Sequence, residues 1–196
     1  AALDYDVPGA APEAMLSVQS DADRAPYVVF VHGTTWTSKE YPLEHWQVLA
    51  GLAAQAGFRV VLPAGNEAER RRGAEIAQGV DADIAYGLSL ADLAGCIGGA
   101  AGVVSVDSGL GHLADALGRP LVALFGSTSP VLTGPRGRRS EVIVSTSLPC
   151  VPCFGRKCRL AAGEYAKLHP PCFDGVSPPA VWAALSDRMD ASALPS

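Results

Sequence analysis

The sequence predicts an α/β fold in which helices cover both faces of a parallel sheet, a doubly wound architecture. Short apolar runs rich in β-branched residues alternate along the chain with segments that have the period of a helix. The central run, which ends at Val106, is short and β-branched, as expected of a strand buried on both faces. Strands that alternate with helices are joined by crossover connections, and such connections give a parallel sheet.

Composition and charge narrow the class of protein. Apolar residues make up 48% of the 196 residues and charged residues 18%, which is typical of a globular domain of ordinary size. No apolar stretch approaches the roughly 18 residues that a membrane span needs, and no signal-peptide pattern is recognised. The net charge of −5 argues against a general nucleic-acid-binding protein. We therefore expect a cytoplasmic protein that binds no nucleic acid.

The first half of the chain is predicted to alternate strands and helices after an irregular start. Residues 1–25 contain two prolines and no regular period, so we expect a linker or domain-edge segment there and a folded domain at 26–196. Trp46 and Leu49 recur at helical spacing, and Gly57 ends that helix. The predicted elements are a strand at 27–31, a helix at 44–53, a strand at 59–62, a helix from 65 to about 77, a strand near 82–85 and a helix at 90–97.

The segment 103–126 predicts a strand, a crossover helix and a second strand. Asp107 follows the first strand and therefore lies at the carboxyl end of the sheet. Ser108 can cap the helix, and Gly109 and Gly111 leave its amino end without side chains. Open α/β sheets bind ligands at this edge, and free backbone N–H groups suit an anion such as pyrophosphate. A tight turn without a ligand is the alternative for a Gly-x-Gly motif taken alone.

Polar groups at other predicted strand ends add to this candidate site. Thr34, Thr35 and Lys39 follow the first strand, and two hydroxyls with one ammonium complement phosphate oxygens. Glu69, with Glu67 as the second choice, follows the second strand, where a carboxylate accepts the two vicinal hydroxyls of a ribose. An ordinary acid in the first turn of a helix is the alternative for either glutamate.

The last third of the chain is predicted to hold a turn at 126–130, a strand at 141–144, a cysteine-rich loop and a helix from 178 to 189. In the loop, Cys150 and Cys153 have the spacing of a metal-binding pair, and Cys158 and Cys172 follow. A structural zinc or iron site, reduced thiols and disulfides are the three alternatives. The expected reducing compartment favours the first two.

Two longer strings carry a specific resemblance. Asp-Ser-Gly-Leu-Gly-His-Leu from Asp107, then Gly-x-Pro, then Leu-Phe-Gly-Ser-Thr-Ser-Pro, resembles the nucleotide-sugar motif of bacterial lipopolysaccharide heptosyltransferases, glycosyltransferase family 9. His-Gly-Thr-Thr-Trp-x-x-Lys-x-Tyr-Pro-x-x-His-Trp from His32 is similar to the signature of the type I enzymes. The resemblance covers roughly residues 27–185. It implies the Rossmann-like, carboxyl-terminal half of a GT-B glycosyltransferase.

The resemblance implies an inverting enzyme that moves heptose from ADP-heptose to the Kdo or heptose of the lipopolysaccharide inner core. The expected catalytic base is an aspartate of the amino-terminal half, which this sequence does not contain, so no catalytic residue and no required cofactor is assigned here. His112, one turn into the helix, has two interpretations: a phosphate ligand, or a histidine of the core or of the layer behind the ligand-contacting residues. The donor-binding residues implied are Thr34, Thr35 and Lys39 on the phosphates, Asp107 on the heptose hydroxyls, and Ser108, Gly109 and Leu110 beside the pyrophosphate.

Departures from the family pattern leave the acceptor open. Ser108 stands where the family usually has Thr, and the cysteine loop is similar to that of type II enzymes. A UDP-sugar epimerase of the same architecture and a non-catalytic interaction module held by a metal are the alternative functions.

A basic segment predicts how an anionic acceptor is met. The segment contains six basic residues and the single acid Glu141. We expect it to attract a lipopolysaccharide acceptor, with peripheral contact to the inner membrane. A solvated loop is the alternative. The basic residues are Arg136, Arg138, Arg139, Arg156, Lys157 and Arg159.

Overall fold

The computed structural model of the protein describes residues 26–145, 148–160 and 170–189, and the predicted linker at 1–25 lies outside the described residues. The strands are β1 (Tyr27–Val31), β2 (Arg59–Ala64), β3 (Ala82–Tyr86), β4 (Gly102–Val106), β5 (Leu121–Phe125) and β6 (Ser140–Val144). They form one sheet in the order β3-β2-β1-β4-β5-β6, and all neighbouring pairs are parallel. The predicted parallel, doubly wound sheet is confirmed.

The described residues form six α-helices, of which five connect consecutive strands and the sixth follows β6. They are α1 (Leu43–Gln55), α2 (Glu67–Ile76), α3 (Leu90–Gly98), α4 (Gly109–Ala116), α5 (Pro130–Thr133) and α6 (Pro178–Ser186). Capping side chains fix where several of them begin. Asn66 accepts a hydrogen bond from the Glu69 N–H at the start of α2, and Ser89 forms a capping box with Asp92 at the start of α3. Within the described residues, none of these helices has the length and apolar character that would carry it across a bilayer.

The winding of the chain reverses between β1 and β4. These two strands are neighbours in the sheet, although β2 and β3 lie between them in the chain. The chain builds outward from β1 through β2 to β3, and then from β4 through β5 to β6 on the other side. Such a switch point leaves a crevice at the carboxyl ends of the two central strands.

The two faces of the sheet are packed differently. The aromatic face, covered by α1, α2 and α6, buries large rings, and Phe30 and Tyr41 both contact Trp46, with centroid distances of 5.4 and 5.3 Å. The aliphatic face, covered by α3 and α4, is filled mainly by small and β-branched side chains such as Val103 and Ala114. Each strand supplies alternate residues to the two faces, so all residues of β4 and β5 are buried.

His32 is a buried polar group that follows β1 on the side of α2. A Cβ on Gly73 of α2 would lie 3.5 Å from its Nε2 atom. Within the described residues, neither ring nitrogen of His32 has a hydrogen-bond partner. Burial, and after it the charge of Arg72, lowers the pKa of His32 from 6.5 to about 4. The imidazole is therefore neutral near pH 7.

Several element boundaries differ from the sequence predictions by one to three residues, and one predicted turn contains a helix. β2 continues to Ala64 and passes through Pro63, which lies opposite Ala85 although it has no backbone N–H to donate. The last helix ends at Ser186, earlier than predicted. The predicted turn after Phe125 contains the short helix α5, which begins at a proline, the residue best suited to a first helical position.

Candidate functional site

A cleft of about 630 Å³ opens at the carboxyl edge of the sheet, over the switch point between β1 and β4. The structure brings all nine predicted donor-binding residues to its walls: Thr34, Thr35, Lys39, Glu69, Asp107, Ser108, Gly109, Leu110 and His112. They come from three separate connections, which follow β1, β2 and β4. The juxtaposition therefore results from the parallel order of the strands.

An ion pair lies at the centre of the cleft. Lys39 Nζ is 2.8 Å from Asp107 Oδ2, and the Thr128 hydroxyl donates a hydrogen bond of 2.8 Å to the same carboxylate oxygen. Asp107 is 8% exposed, so these contacts compensate a nearly buried charge. The Lys39 ammonium also lies 4.5 Å from the centre of the Trp36 ring. The carboxylate and the indole therefore both contact the Lys39 ammonium, and Lys39 itself lines the cleft.

The amino end of α4 forms the wall beside this ion pair. Ser108 accepts a hydrogen bond from the Gly111 N–H (3.3 Å) and caps the helix, as predicted. A Cβ on Gly109 would meet nothing within 4 Å, so the cleft is open above this residue. A Cβ on Gly111 would lie 2.7 Å from Ser105 Oγ, so this glycine allows α4 to approach β4 closely. The two glycines therefore have different roles, one toward the cleft and one toward the core.

Glu69 is distinguished from Glu67 by its surroundings. The Glu69 carboxylate lines the cleft and accepts a 2.7 Å hydrogen bond from the Gly65 N–H. A Cβ on Gly33 would lie 2.7 Å from the Glu69 carboxyl carbon. Glu67 instead makes two hydrogen bonds of 2.8 Å to Arg70, and this hydrogen bonding lowers the pKa of Glu67. Of the two glutamates, Glu69 is the one available to a ligand in the cleft.

His112 is exposed and lines the cleft, so its interpretation as a core histidine is wrong. The sequence analysis missed the apolar end of the cleft, which is formed by Pro63, Leu90 and Leu93. Leu90 is 69% exposed at the start of α3. Two leucines spaced by one helical turn directly after a cap were the available signal. Leu90 is exposed and Leu93 half-buried, and an apolar surface beside a polar cleft suits a flat base.

The four late cysteines lie near one another without pairing. All cysteines are free, so the disulfide alternative is not formed. Burial first, and then the neighbouring thiols of Cys158, Cys153 and Cys150, raise the pKa of Cys172 to about 12. In the described parts of the chain, no group of three or more His, Cys, Asp or Glu side chains is arranged to hold a metal ion. The zinc or iron site stays a prediction.

Comparison with known proteins agrees with the resemblance in the motifs. Lipopolysaccharide heptosyltransferase 1 of Pseudomonas aeruginosa is 40% identical over 199 aligned positions, which cover 96% of this chain and 56% of that protein. The E. coli heptosyltransferase WaaC with ADP superposes with a TM-score of 0.68 and 30% identity, over 86% of this chain and 46% of WaaC. WaaC with ADP-2-deoxy-2-fluoro heptose gives a TM-score of 0.59 and 38% identity, over 64% and 39% of the two chains.

The chain spans about half the length of the relatives it matches. Residues 2–163 match the family model for glycosyltransferase family 9 (heptosyltransferase). This match covers most of the chain and includes both motifs, the cleft and all nine residues on its walls. The chain therefore belongs to glycosyltransferase family 9, the heptosyltransferase family.

Proposed function

We propose that this chain binds ADP-heptose and forms the donor-binding part of an inverting glycosyltransferase that adds heptose to the lipopolysaccharide inner core. The observation that carries the proposal is the Lys39–Asp107 ion pair facing the amino end of α4 in one cleft. Two solved structures of one relative, the E. coli heptosyltransferase WaaC, support it, because one contains ADP and the other ADP-2-deoxy-2-fluoro heptose. So does the name of the P. aeruginosa relative, lipopolysaccharide heptosyltransferase 1.

The geometry suits a sugar diphosphate in one orientation. The adenine lies on the apolar end at Leu90 and Leu93, and its ribose hydroxyls donate to the Glu69 carboxylate. The diphosphate then meets Lys39 and the backbone N–H groups of α4 at Gly109. In the transfer step the acceptor hydroxyl oxygen forms a bond to heptose C1 while the bond from C1 to the diphosphate oxygen breaks. The hydroxyl proton passes to the aspartate base expected in the amino-terminal half, and the positive charge of Lys39 stabilises the departing ADP. This chain supplies no base for the acceptor hydroxyl in the proposal.

Calorimetric titration with ADP, UDP and ADP-heptose tests the proposal against its two rivals. We expect ADP and ADP-heptose to bind and UDP to bind much more weakly, because the apolar end of the cleft and Glu69 are arranged for an adenosine. Preference for UDP would support the epimerase-like alternative. Binding of none of the three would leave the interaction module.

Lys39→Ala is expected to weaken ADP binding by about 1.5–3 kcal/mol, the range for a lost hydrogen bond to a charged group. Lys157→Ala is the matched control, because Lys157 is exposed and does not line the cleft. Isothermal titration of both variants provides the measurement. An ADP affinity that is the same in the Lys39→Ala variant and in the parent would place the diphosphate elsewhere.

The cysteine loop is part of the proposal as a structural metal site. Cys150, Cys153, Cys158 and Cys172 provide four thiols in one neighbourhood, and thiolates are ligands that zinc and iron accept. Elemental analysis of protein purified without added metal is expected to give about one zinc or iron per chain, and about none in a Cys150→Ser/Cys153→Ser variant. Protein without metal and with four titratable thiols would leave only the reduced-cysteine interpretation.

The acceptor side of the proposal places the reaction at the cytoplasmic face of the inner membrane. Arg136 and Arg138 are exposed next to α5, and Val131 and Leu132 of that helix are 80% and 70% exposed. Cations beside apolar side chains suit an anionic membrane surface. The parent protein should co-sediment with anionic vesicles at low salt, and an Arg136→Ser/Arg138→Ser variant should do so several-fold less. Equal sedimentation of the two proteins would contradict this part.

A further inference from the structure

Ser38 lies outside the walls of the cleft, but it is bonded to two distant parts of the chain. The residue is 1% exposed and sits in a 3₁₀ turn, Thr37–Lys39, directly before the lysine of the cleft. Its hydroxyl donates to the Gly155 carbonyl and lies 3.0 Å from Ser127 Oγ. Its backbone N–H donates to the Arg156 carbonyl (3.3 Å). A buried serine with this many contacts fixes the turn to the cysteine loop.

The directions of these hydrogen bonds follow from the number of protons. A serine hydroxyl has one proton to donate, and a carbonyl oxygen only accepts. The Ser38 proton is therefore used on the Gly155 carbonyl, and Ser127 must donate its own proton to Ser38 Oγ. The two hydrogen bonds therefore run in one direction, from Ser127 to Ser38 and from Ser38 to Gly155. Removal of the Ser38 hydroxyl breaks both of them.

The same contacts join the loop that supplies Lys39 to the loop that hydrogen-bonds to its ion-pair partner, Asp107. On one side, Ser38 precedes Lys39 in the turn after β1. On the other side, Ser127 precedes Thr128, which donates to Asp107. The Phe154 N–H donates to the Ser127 carbonyl (2.8 Å), so the segment 154–156 of the cysteine loop bonds to both loops.

Side-chain contacts also join the turn 37–39 to the segment 154–156, through the ring of Trp36. The Arg156 guanidinium lies 5.6 Å from the centre of the Trp36 ring, and the Lys39 ammonium lies 4.5 Å from the same centre. The Thr37 hydroxyl also donates to the Arg156 carbonyl (3.3 Å). Lysine has a flexible side chain that loses much rotamer freedom when it is ordered. A turn that holds its backbone and an indole that contacts its ammonium reduce that cost before a ligand arrives.

We infer that Ser38 is a positioning residue for the donor diphosphate, through which the segment 154–156 holds Lys39 in place. This inference rests on the proposed function, because it presumes that Lys39 meets a diphosphate. It gives the cysteine loop a role in donor binding that does not depend on whether its thiols bind a metal. Ser38 acts through Lys39 and touches no ligand itself.

A double-mutant cycle on Ser38→Ala and Lys39→Ala tests the inference, with ADP and adenosine as the titrants. In the parent background, Ser38→Ala should weaken ADP about tenfold, the effect of one to two lost hydrogen bonds. In the Lys39→Ala background the same change should weaken ADP less than about twofold, because the group that it positions is gone. Adenosine affinity should stay the same, since adenosine carries no phosphate. Ser177→Ala, which removes the cap of α6 far from the cleft, controls for a general loss of stability.

The outcomes separate this inference from the proposed function. An equal ADP loss in both backgrounds, or an equal loss for ADP and adenosine, would show that Ser38 acts only on the general fold and would overturn the inference. No ADP binding by the parent, or no effect of Lys39→Ala, would overturn the proposed function itself. If Ser38→Ala does not fold, Ser127→Ala replaces it. This variant removes the donor to Ser38 but keeps the bond to Gly155, so it should show a smaller loss with the same dependence on Lys39.

Discussion

The same strands supply both faces of the sheet, but the side chains that pack on the two faces differ in size. The aromatic face joins α1 to the sheet through large rings, and it also buries His32 beside α2. The aliphatic face brings α4 so close to β4 that no side chain fits at Gly111. Large side chains on the aromatic face stabilise the domain. The lack of a side chain at Gly111 on the aliphatic face sets the position of the α4 amino end, which forms part of the cleft. We therefore expect changes on the first face to act on stability and changes on the second face to act on ligand binding as well.

Acidification should affect the aromatic face first. The pKa of His32 is lowered to about 4 in the folded protein, whereas the ordinary value in the unfolded chain is 6.5. Between these two pKa values, His32 is protonated in the unfolded chain and neutral in the folded protein. The free energy of unfolding therefore falls as the pH falls from 6.5 to about 4. The full difference corresponds to roughly 3 kcal/mol. Thermal unfolding of the parent and of His32→Gln across this range provides the measurement.

The parent should lose more stability than the variant as the pH is lowered, because glutamine does not titrate. Arg72, whose charge contributes to the lowered pKa of His32, is present in both proteins, so the comparison isolates the imidazole. Parallel melting curves for parent and variant from pH 6.5 to 4 would contradict the account of His32 as a buried neutral base.

A pair of glycine substitutions sharpens the comparison on the aliphatic face. Gly111→Ala places a methyl group 2.7 Å from Ser105 Oγ, and overpacking of this kind costs about 1–3 kcal/mol of stability. Gly109→Ala places the same group in open space above the cleft. Its stability should stay within about 0.5 kcal/mol of the parent, while ADP binding is weakened because the backbone can no longer approach the diphosphate.

Denaturant unfolding and ADP titration of both variants separate the two roles. Gly111→Ala should lose stability and some affinity together, since the amino end of α4 shifts. Gly109→Ala should lose affinity alone. A Gly109→Ala protein with parent affinity would mean that the diphosphate does not lie against this turn.

Local patterns were sufficient for the fold and for the approximate positions of the strands. The β-branched run before Asp107 and the cap at Ser108 are properties of short stretches, and the parallel sheet follows from their alternation with helices. The nine residues on the cleft walls were predicted because each lies after a predicted strand or within one of the two motifs. Their juxtaposition in one cleft is observed, and their role in binding a donor remains a prediction.

Contacts between distant segments were not predictable in this way. Ser38 and Gly155 are 117 positions apart, and neither belongs to a pattern that points to the other. The ion pair of Lys39 with Asp107 joins two loops whose separation depends on the strand order. The apolar end at Leu90 was missed for a related reason, since an exposed leucine has meaning only beside a cleft.

The close approach of Gly33 to Glu69 has a consequence for the evolution of the family. An alanine at position 33 would contact the free end of a flexible glutamate, which moves aside at little cost to the fold. The substitution would therefore be silent in a test of folding, yet it would displace the carboxylate that the ribose is proposed to meet. Selection on position 33 would come from the ligand alone. We expect chains that carry a larger residue at position 33 to carry the shorter Asp, or no acid, at position 69.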